Sequence, residues 1–328
     1  MDIELTPRPV GKKLDMWTAF LRRAGLTPDE GVESTALIWE DEELIAAGSR
    51  QDNVLKCIAV DPAHQGEGLT ATLLTHLRQD AMAAGHRHLF LYTKPRNRTM
   101  FSSLFFYPVA KTDDVLLMEN RKNGVQEFVS GLEAPRTEGT IGAVVMNCNP
   151  FTRGHRYLIE TAARDCDWLY VFVLSEDKSA FPAADRLALV KAGTADLPNV
   201  TVQPTGPYLI SSATFPTYFL KDQSQFENIH CQLDIEVFVN YYVPKFGISR
   251  RYVGSEPLSP VTNQYNEALM HHLPSRGVEL RLLERVENGA GPISASAVRA
   301  LLGKNQPEQL RTLVPDTTFA YLEEKQMI

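Results

Sequence analysis

Two stretches far apart in the chain carry side chains that together suit the handling of a phosphate chain. The first, VVMNCNPFTRGHRYLIE (residues 144–160), leads an apolar strand pattern into Asn147, turns tightly through Asn149-Pro150 and opens an amphipathic helix at Gly154-His155. A helix that starts at the carboxyl edge of a strand aims unpaired N–H groups and the positive end of its dipole at that edge, where a glycine admits an anion close to the backbone. Thr152 brings a hydroxyl and His155 an imidazole donor to the same place. The second stretch, ISASAVRALL (293–302), sets Ser294 and Ser296 ahead of a helix containing Arg299, so hydroxyls, helix-start amides and a guanidinium can converge on one anion. Between the two, SEDKSAFPAADRLALV adds the cations Lys178 and Arg186, and fixed positive charge is what stabilises a departing pyrophosphate. Taken singly, each residue also has a plain reading: a turn, a helix-start residue, an N-capped surface helix, a solvated charge. Their joint occurrence, one motif after the first strand and one late in the fold, points to phosphate chemistry.

A third stretch, CIAVDPAHQGEGLTATLLTHL (57–77), reads as strand, glycine loop and helix, again an anion cradle in outline, with Gln65, Gly66 and Gly68 in the loop. An equally open reading is that this part only packs or positions. Nothing near it stands out as an acyl-transfer base: Glu67 lies inside the loop, and His86 and His88 precede a strand.

These residues need a scaffold, and hydrophobic periodicity supplies one. In the first third, Lys13 to Ala24 reads as a helix and STALIWE and ELIAAGSR as a hairpin. VLKCIAV and HLFLYT read as buried strands flanking the helix LTATLLTHLRQDAMAAG, and RTMFSSLFFYPVA as a short helix running into VLLMEN. The aperiodic, Pro- and Gly-bearing GLEAPRTEGT (131–140) marks a boundary, giving expected domains 1–134 and 135–328. Beyond it, the strands IGAVVMN, WLYVFVLS, NVTVQPT, RRYVGS and VELRLLERV alternate with helices at HRYLIETAARD, AADRLALVKAG, ENIHCQLDIEVFVNYYV and TNQYNEALMHHL. Such alternation predicts a parallel sheet wrapped by helices, with ligands at the carboxyl ends of its strands.

Composition bounds the answer. A chain of 328 residues is long enough for two domains, each with its own core, and 44% hydrophobic with 22% charged residues is globular composition. A formal charge of −7, with both halves acidic, argues against nucleic acid as partner. Cys57, Cys148, Cys166 and Cys231 form no C-x-x-C pair and sit at no zinc spacing, which suits reduced thiols, no structural metal and a cytoplasmic setting. The amino-terminal MDIELTPRPVGKK lacks a signal-peptide pattern and no apolar run is long enough to span a bilayer, so neither export nor membrane association is expected.

The segment around Asn149-Pro150, Thr152, Gly154 and His155 resembles the T/H-x-G-H signature of the nucleotidylyltransferase superfamily, and 293–302 resembles its I-S-x-S-x-V/I-R signature. The glycine loop resembles the Q/R-x-x-G-x-G/A pyrophosphate loop of GNAT acetyltransferases, with Thr70 at the last position, and KPRNRTMFSSLFFYPVA resembles a downstream segment of that fold. The implied fold class is α/β: a GNAT-like α/β domain followed by a Rossmann-like parallel-sheet nucleotidylyltransferase domain. The fusion, with SEDKSAFPAADR, YLISSATFPTYFLKD and RRYVGSEPLSPVTNQYN, is similar to the citrate lyase ligase family across nearly the whole chain.

That resemblance implies ATP and Mg²⁺ as cofactors, with acetate and the citrate lyase acyl-carrier subunit as partners. Acetate would be converted to acetyl adenylate, and the acetyl group passed to the thiol of the carrier's prosthetic group. It implies His155, Lys178 and Arg299 as catalytic residues, and Asn147, Asn149, Thr152, Gly154, Arg186, Ser294 and Ser296 as ATP-binding ones. Gln65, Gly66 and Gly68 would receive the coenzyme A-like arm, and Ser211, Ser212 and Thr214 are candidates for holding acetate. Two rivals stay open: an adenylyltransferase acting on a phosphorylated cofactor precursor, and an acetyl-coenzyme A binding protein with an inert second half.

Overall fold

The structure, a computed structural model, describes residues 1–210, 231–255, 260–284, 287–288, 291–304 and 306–328. It contains two compact units, one of Met1–Val125 with residues 231–236, the other of residues 126–210 with Val237–Ile328. Among the described residues no helix is long and apolar enough to cross a membrane.

The first unit is built on a seven-stranded sheet of order β1-β2-β3-β4-β5-β7-β6. Its strands are β1 (Asp2–Thr6), β2 (Ser34–Glu40), β3 (Glu43–Gln51), β4 (Val54–Val60), β5 (Phe90–Thr93), β6 (Tyr107–Lys111) and β7 (Leu116–Glu119). Helix α1 (Lys12–Arg23) buries Trp17, Phe20 and Leu21, and α2 (Leu69–Ala83) buries Leu69, Leu73, Leu74, Leu77 and Ala81. That spacing lays one stripe of α2 on the sheet, in a core shared with Ile38, Leu55, Leu91 and Met118. The expected β2–β3 hairpin is present and antiparallel. β4 and β5 run parallel through the pairs Val54↔Phe90 and Leu55↔Leu91. Beyond them Cys57 takes a left-handed φ of 51° and the β3–β4 register shifts between Ala47 and Ser49, the marks of a β-bulge.

Two features of this unit differ from the sequence expectation. β1, too short and too charged to show alternation, forms an edge strand paired with β2. The helix in RTMFSSLFFYPVA, α3 (Arg98–Ser103), stops short of the aromatic run that periodicity assigns to it, and Tyr107–Lys111 forms the edge strand β6, the aromatic strand that the GNAT resemblance implies, where Pro108 costs no ladder bond.

In the second unit five strands form a wholly parallel sheet of order β10-β9-β8-β11-β12. They are β8 (Ile141–Met146), β9 (Trp168–Val173), β10 (Val200–Pro204), β11 (Ile248–Gly254) and β12 (Glu279–Leu283). The chain winds outward from β8 through β9 to β10, then returns to place β11 on the other side of β8. Open parallel sheets bind ligands at the carboxyl ends of strands where the winding reverses, and here that point is the end of β8. Both faces of the sheet are covered, which is why its strands read as continuous apolar runs. Leu169, Val171 and Val173 pack with Ile159 of α5 (Arg153–Arg164) and Leu189 and Val190 of α6 (Ala183–Gly193). Tyr170 and Phe172 turn the other way, with ring centroids 4.5 and 5.2 Å from Phe246. Phe246 ends the short helix Val243–Phe246, which follows a π-helical turn, Phe238–Tyr242, inside the segment ENIHCQLDIEVFVNYYV that the sequence reads as helical. Two helices that apolar periodicity did not pick out, Pro307–Leu313 and Asp316–Glu324, pack Leu310, Leu313, Phe319 and Leu322 around Phe181 and Ile293.

Candidate active site

At the end of β8 the backbone passes through Cys148 at φ 53° and a cis Asn149-Pro150 bond before Thr152 caps α5. The cap is reciprocal. Thr152 Oγ1 accepts from the His155 N–H at 3.3 Å, and His155 Nδ1 accepts from the Thr152 N–H at 3.1 Å and lies 2.9 Å from Thr152 Oγ1. A capping box normally uses a glutamate or glutamine at this third helical position; here an imidazole does it. Because Nδ1 accepts a backbone proton, the neutral ring carries its own proton on Nε2, which makes the outer nitrogen the donor. Phe151, wholly buried, lies parallel to the ring at a centroid distance of 6.0 Å and limits its tilt. Thr152 thus acts by orienting His155, and its hydroxyl is engaged inside the cap.

Gly154 also departs from expectation. A Cβ on it would stand 3.0 Å from the Ile293 carbonyl oxygen, so the close approach that its missing side chain permits is by the first residue of the second motif. Ser294 then caps the helix Ala295–Leu301, its Oγ accepting from the Ala297 N–H at 3.1 Å. From that helix Arg299 donates through Nη1 to the Asn149 carbonyl and through Nη2 to Ser296 Oγ at 3.0 Å. Asn149 Oδ1 in turn accepts from the Phe181 N–H at 3.0 Å. The two motifs are therefore brought together at the carboxyl end of β8, with the loop after β9 joined to them.

Arg186 requires a correction. It is fully buried, and its guanidinium donates to the Phe181 carbonyl at 3.0 Å, the Asn147 carbonyl at 3.0 Å, Asn147 Oδ1 and the Glu176 carbonyl. A planar fork of N–H groups spent on loop carbonyls is a clip, so Arg186 shapes the site and does not face a phosphate. Asn147 is drawn into the same clip, its amide also donating to Ser179 Oγ at 3.2 Å. Lys178 projects from the loop between them, half exposed and 3.9 Å from Glu176. Ser179 and Asp177, whose carboxylate accepts from the Ala183 N–H at the start of α6, were not singled out from sequence, because hydroxyl and carboxylate roles within a loop have no periodic signature. Ser211, Ser212 and Thr214 lie outside the described residues.

In the first unit, Gln65 follows a short 3₁₀ turn, Pro62–His64, and Gly66 and Gly68 adopt left-handed φ values of 93° and 80°, Gly68 as the N-cap residue of α2. A Cβ at either glycine would meet nothing within 4 Å, so conformation, not crowding, demands glycine there. Glu67 approaches His64 at 3.3 Å, and His88 pairs with buried Glu119 at 2.6 Å.

Comparison with known proteins decides what this arrangement belongs to. The model of the citrate lyase ligase C-terminal domain matches residues 141–322. The chain belongs to the citrate lyase ligase family. It is 42% identical over 309 residues to the [Citrate [pro-3S]-lyase] ligase of Klebsiella pneumoniae, covering 92% of this chain and 90% of that one. With the [Citrate [pro-3S]-lyase] ligase of Escherichia coli K12 the identity is 41%, covering 96% and 92%. As a member of the citrate lyase ligase family it is an enzyme of the ligase class. The GNAT acetyltransferase model matches residues 6–101, so a GNAT domain precedes the parallel-sheet domain, as expected. Among solved structures, Thermotoga maritima TmcAL bound with alpha-thio ATP gives a TM-score of 0.36 at 14% identity, covering 57% of this chain and 56% of that one.

Proposed function

We propose that this member of the family activates acetate with ATP and acetylates the thiol of the prosthetic group on the citrate lyase acyl-carrier subunit. An acetate oxygen attacks the α-phosphorus and pyrophosphate leaves; the carrier thiolate then attacks the acetyl carbonyl and AMP leaves. A free carboxylate resists thiolate attack because its leaving group would be oxide, and the adenylate supplies a phosphate leaving group instead. The observation that carries the reading is the bond from Arg299 to the Asn149 carbonyl, which holds both phosphate motifs at the end of β8 in a chain 42% identical to a named citrate lyase ligase.

On this reading His155 Nε2–H and the α5 amides bind the phosphates, Lys178 and Arg299 offset the charge that develops on pyrophosphate, and Ser294 and Ser296 border that pocket. Arg186, Asn147, Thr152 and Gly154 keep those groups in position. Mg²⁺ fits as a companion of the nucleotide, since it is commonly held by substrate phosphates and water with few protein ligands, and no group of three His, Cys, Asp or Glu side chains is assembled among the described residues. Gln65, Gly66 and Gly68 receive the coenzyme A-like arm, and the working compartment is the cytoplasm. The test is ATP–pyrophosphate exchange measured with acetate, followed by AMP release with and without thiol-form citrate lyase. Exchange that depends on a phosphorylated cofactor precursor instead of acetate would establish the adenylyltransferase alternative.

A further inference from the structure

Away from the glycine loop, the first unit has a surface cavity of about 370 Å³ lined by Arg78, Met82, Arg87, Leu89, Phe105 and Asn120. Arg78 lies nine residues beyond the start of α2, about 13 Å along its axis from the loop end.

The cavity is mounted on fixed parts. Arg78 Nη2 donates to the Leu104 carbonyl, and its guanidinium stands 4.8 Å from the centroid of the buried Phe106 ring. Those two attachments hold the turn between α3 and β6 so that Phe105, at a left-handed φ of 62°, presents its ring outward with 66% of the residue exposed. A bulky aromatic residue in that backbone region is strained, and an exposed ring recovers little packing in return. On the other wall Asn120 Oδ1 accepts from the Leu89 N–H at 2.8 Å and its amide donates to the Arg87 carbonyl at 3.1 Å, fixing the segment that carries Arg87. Met82, 63% exposed, and Phe105 supply the apolar surface of the cavity, and Leu89 belongs to the core behind it.

Charge in the cavity is one-sided. Among the described residues neither guanidinium has a carboxylate within ion-pair distance, and Arg78 Nε is buried without a hydrogen-bond partner. In the same unit Asp80 is committed to Arg50 at 2.6 Å, and Glu119 to His88 and the Val125 N–H. Burial lowers the Arg78 guanidinium from its ordinary value, a cost that a bound anion offsets.

We propose that this cavity is a binding site for a small amphipathic carboxylate, its acid group on Arg78 and Arg87 and its apolar body against Met82 and Phe105. Charge-assisted N–H bonds from two separate guanidinium groups suit a carboxylate, and the volume falls within the range of small-molecule pockets. The site is independent of the acetate-activating reaction proposed above.

The test titrates the full-length protein with octanoate by calorimetry, with inorganic phosphate and 1-octanol as separate arms. Saturable binding of one octanoate per chain is expected, weakened by about tenfold in Arg87→Gln, whose side chain is exposed and makes no hydrogen bond among the described residues. Phe105→Asn is expected to weaken octanoate binding while leaving the thermal midpoint equal or higher, because asparagine tolerates the left-handed backbone; a purely structural role for Phe105 would lower the midpoint instead. The proposal is overturned if octanoate does not saturate, if 1-octanol binds equally well, if phosphate binds as tightly as octanoate, or if Arg87→Gln leaves the affinity unchanged.

Discussion

Ile293 presents its backbone carbonyl to the bare face of Gly154, where an added Cβ would lie 3.0 Å from the oxygen. This contact packs the residue before Ser294 onto the first turn of the helix that Thr152 caps. It makes the distance between the two motifs depend on the absence of one methyl group.

Gly154→Ala therefore separates activity from stability. Alanine gains up to about 1 kcal/mol in helix propensity, which offsets much of the overpacking cost. Urea unfolding is expected to shift little, while acetate-dependent exchange falls roughly tenfold because the motifs are displaced by a few tenths of an ångström.

Arg299→Gln removes charge and the bond to the Asn149 carbonyl from a partly exposed side chain. Exchange activity should drop about a hundredfold, the scale for losing one preorganised donor to a developing anion, with the thermal midpoint nearly unchanged. A variant that kept full exchange would remove Arg299 from the chemistry.

Arg186→Gln should do the reverse, acting first on folding. Three backbone carbonyls lose a charged donor in a buried place, and at about 1 kcal/mol each the expected loss is about 3 kcal/mol by urea unfolding. Arg186→Lys keeps the charge without the fork and is expected to recover less than half of it.

The cysteines set an alkaline limit. Burial pushes the Cys57 thiol up to about 12 and the Cys166 thiol up to about 11, from 9.0. A group whose folded value is raised holds its proton longer in the folded state, so its contribution is intact below pH 9.0 and is lost as the pH rises through the folded value. Urea midpoints should be insensitive to these thiols near neutrality and decline above about pH 9, with a shallower decline in Cys166→Ala. Iodoacetamide at neutral pH should leave both thiols unmodified in the folded protein, because neither is a thiolate there.

The glycine loop can be tested apart from the adenylating chemistry. Gly68→Asp places a side chain and a negative charge at φ 80°, at a backbone cost of about 1 kcal/mol. Exchange with acetate should persist while acetylation of citrate lyase falls. Unchanged acetylation would remove the loop from arm binding.

Much of the scaffold was legible in the chain because parallel strands buried on both faces must be apolar throughout and helices on their surface must repeat an apolar stripe. VVMN, WLYVFV and the stripe of Leu69, Leu73 and Leu77 show this directly. Strand β1 and the helices after Pro307 escaped notice because their burial depends on partners distant in sequence.

The residue types and order at the candidate site were likewise present in the sequence: Asn149, Thr152, Gly154 and His155, then Lys178, then Ser294, Ser296 and Arg299 are types that suit phosphate handling when they occur together. Only the tertiary structure decided which of them face outward and which build the walls. Arg186 is a cation by type and a clip by position, and Gly154 serves a neighbouring carbonyl, because a side chain's role follows from the acceptors that folding brings within reach, and those lie on other strands and loops.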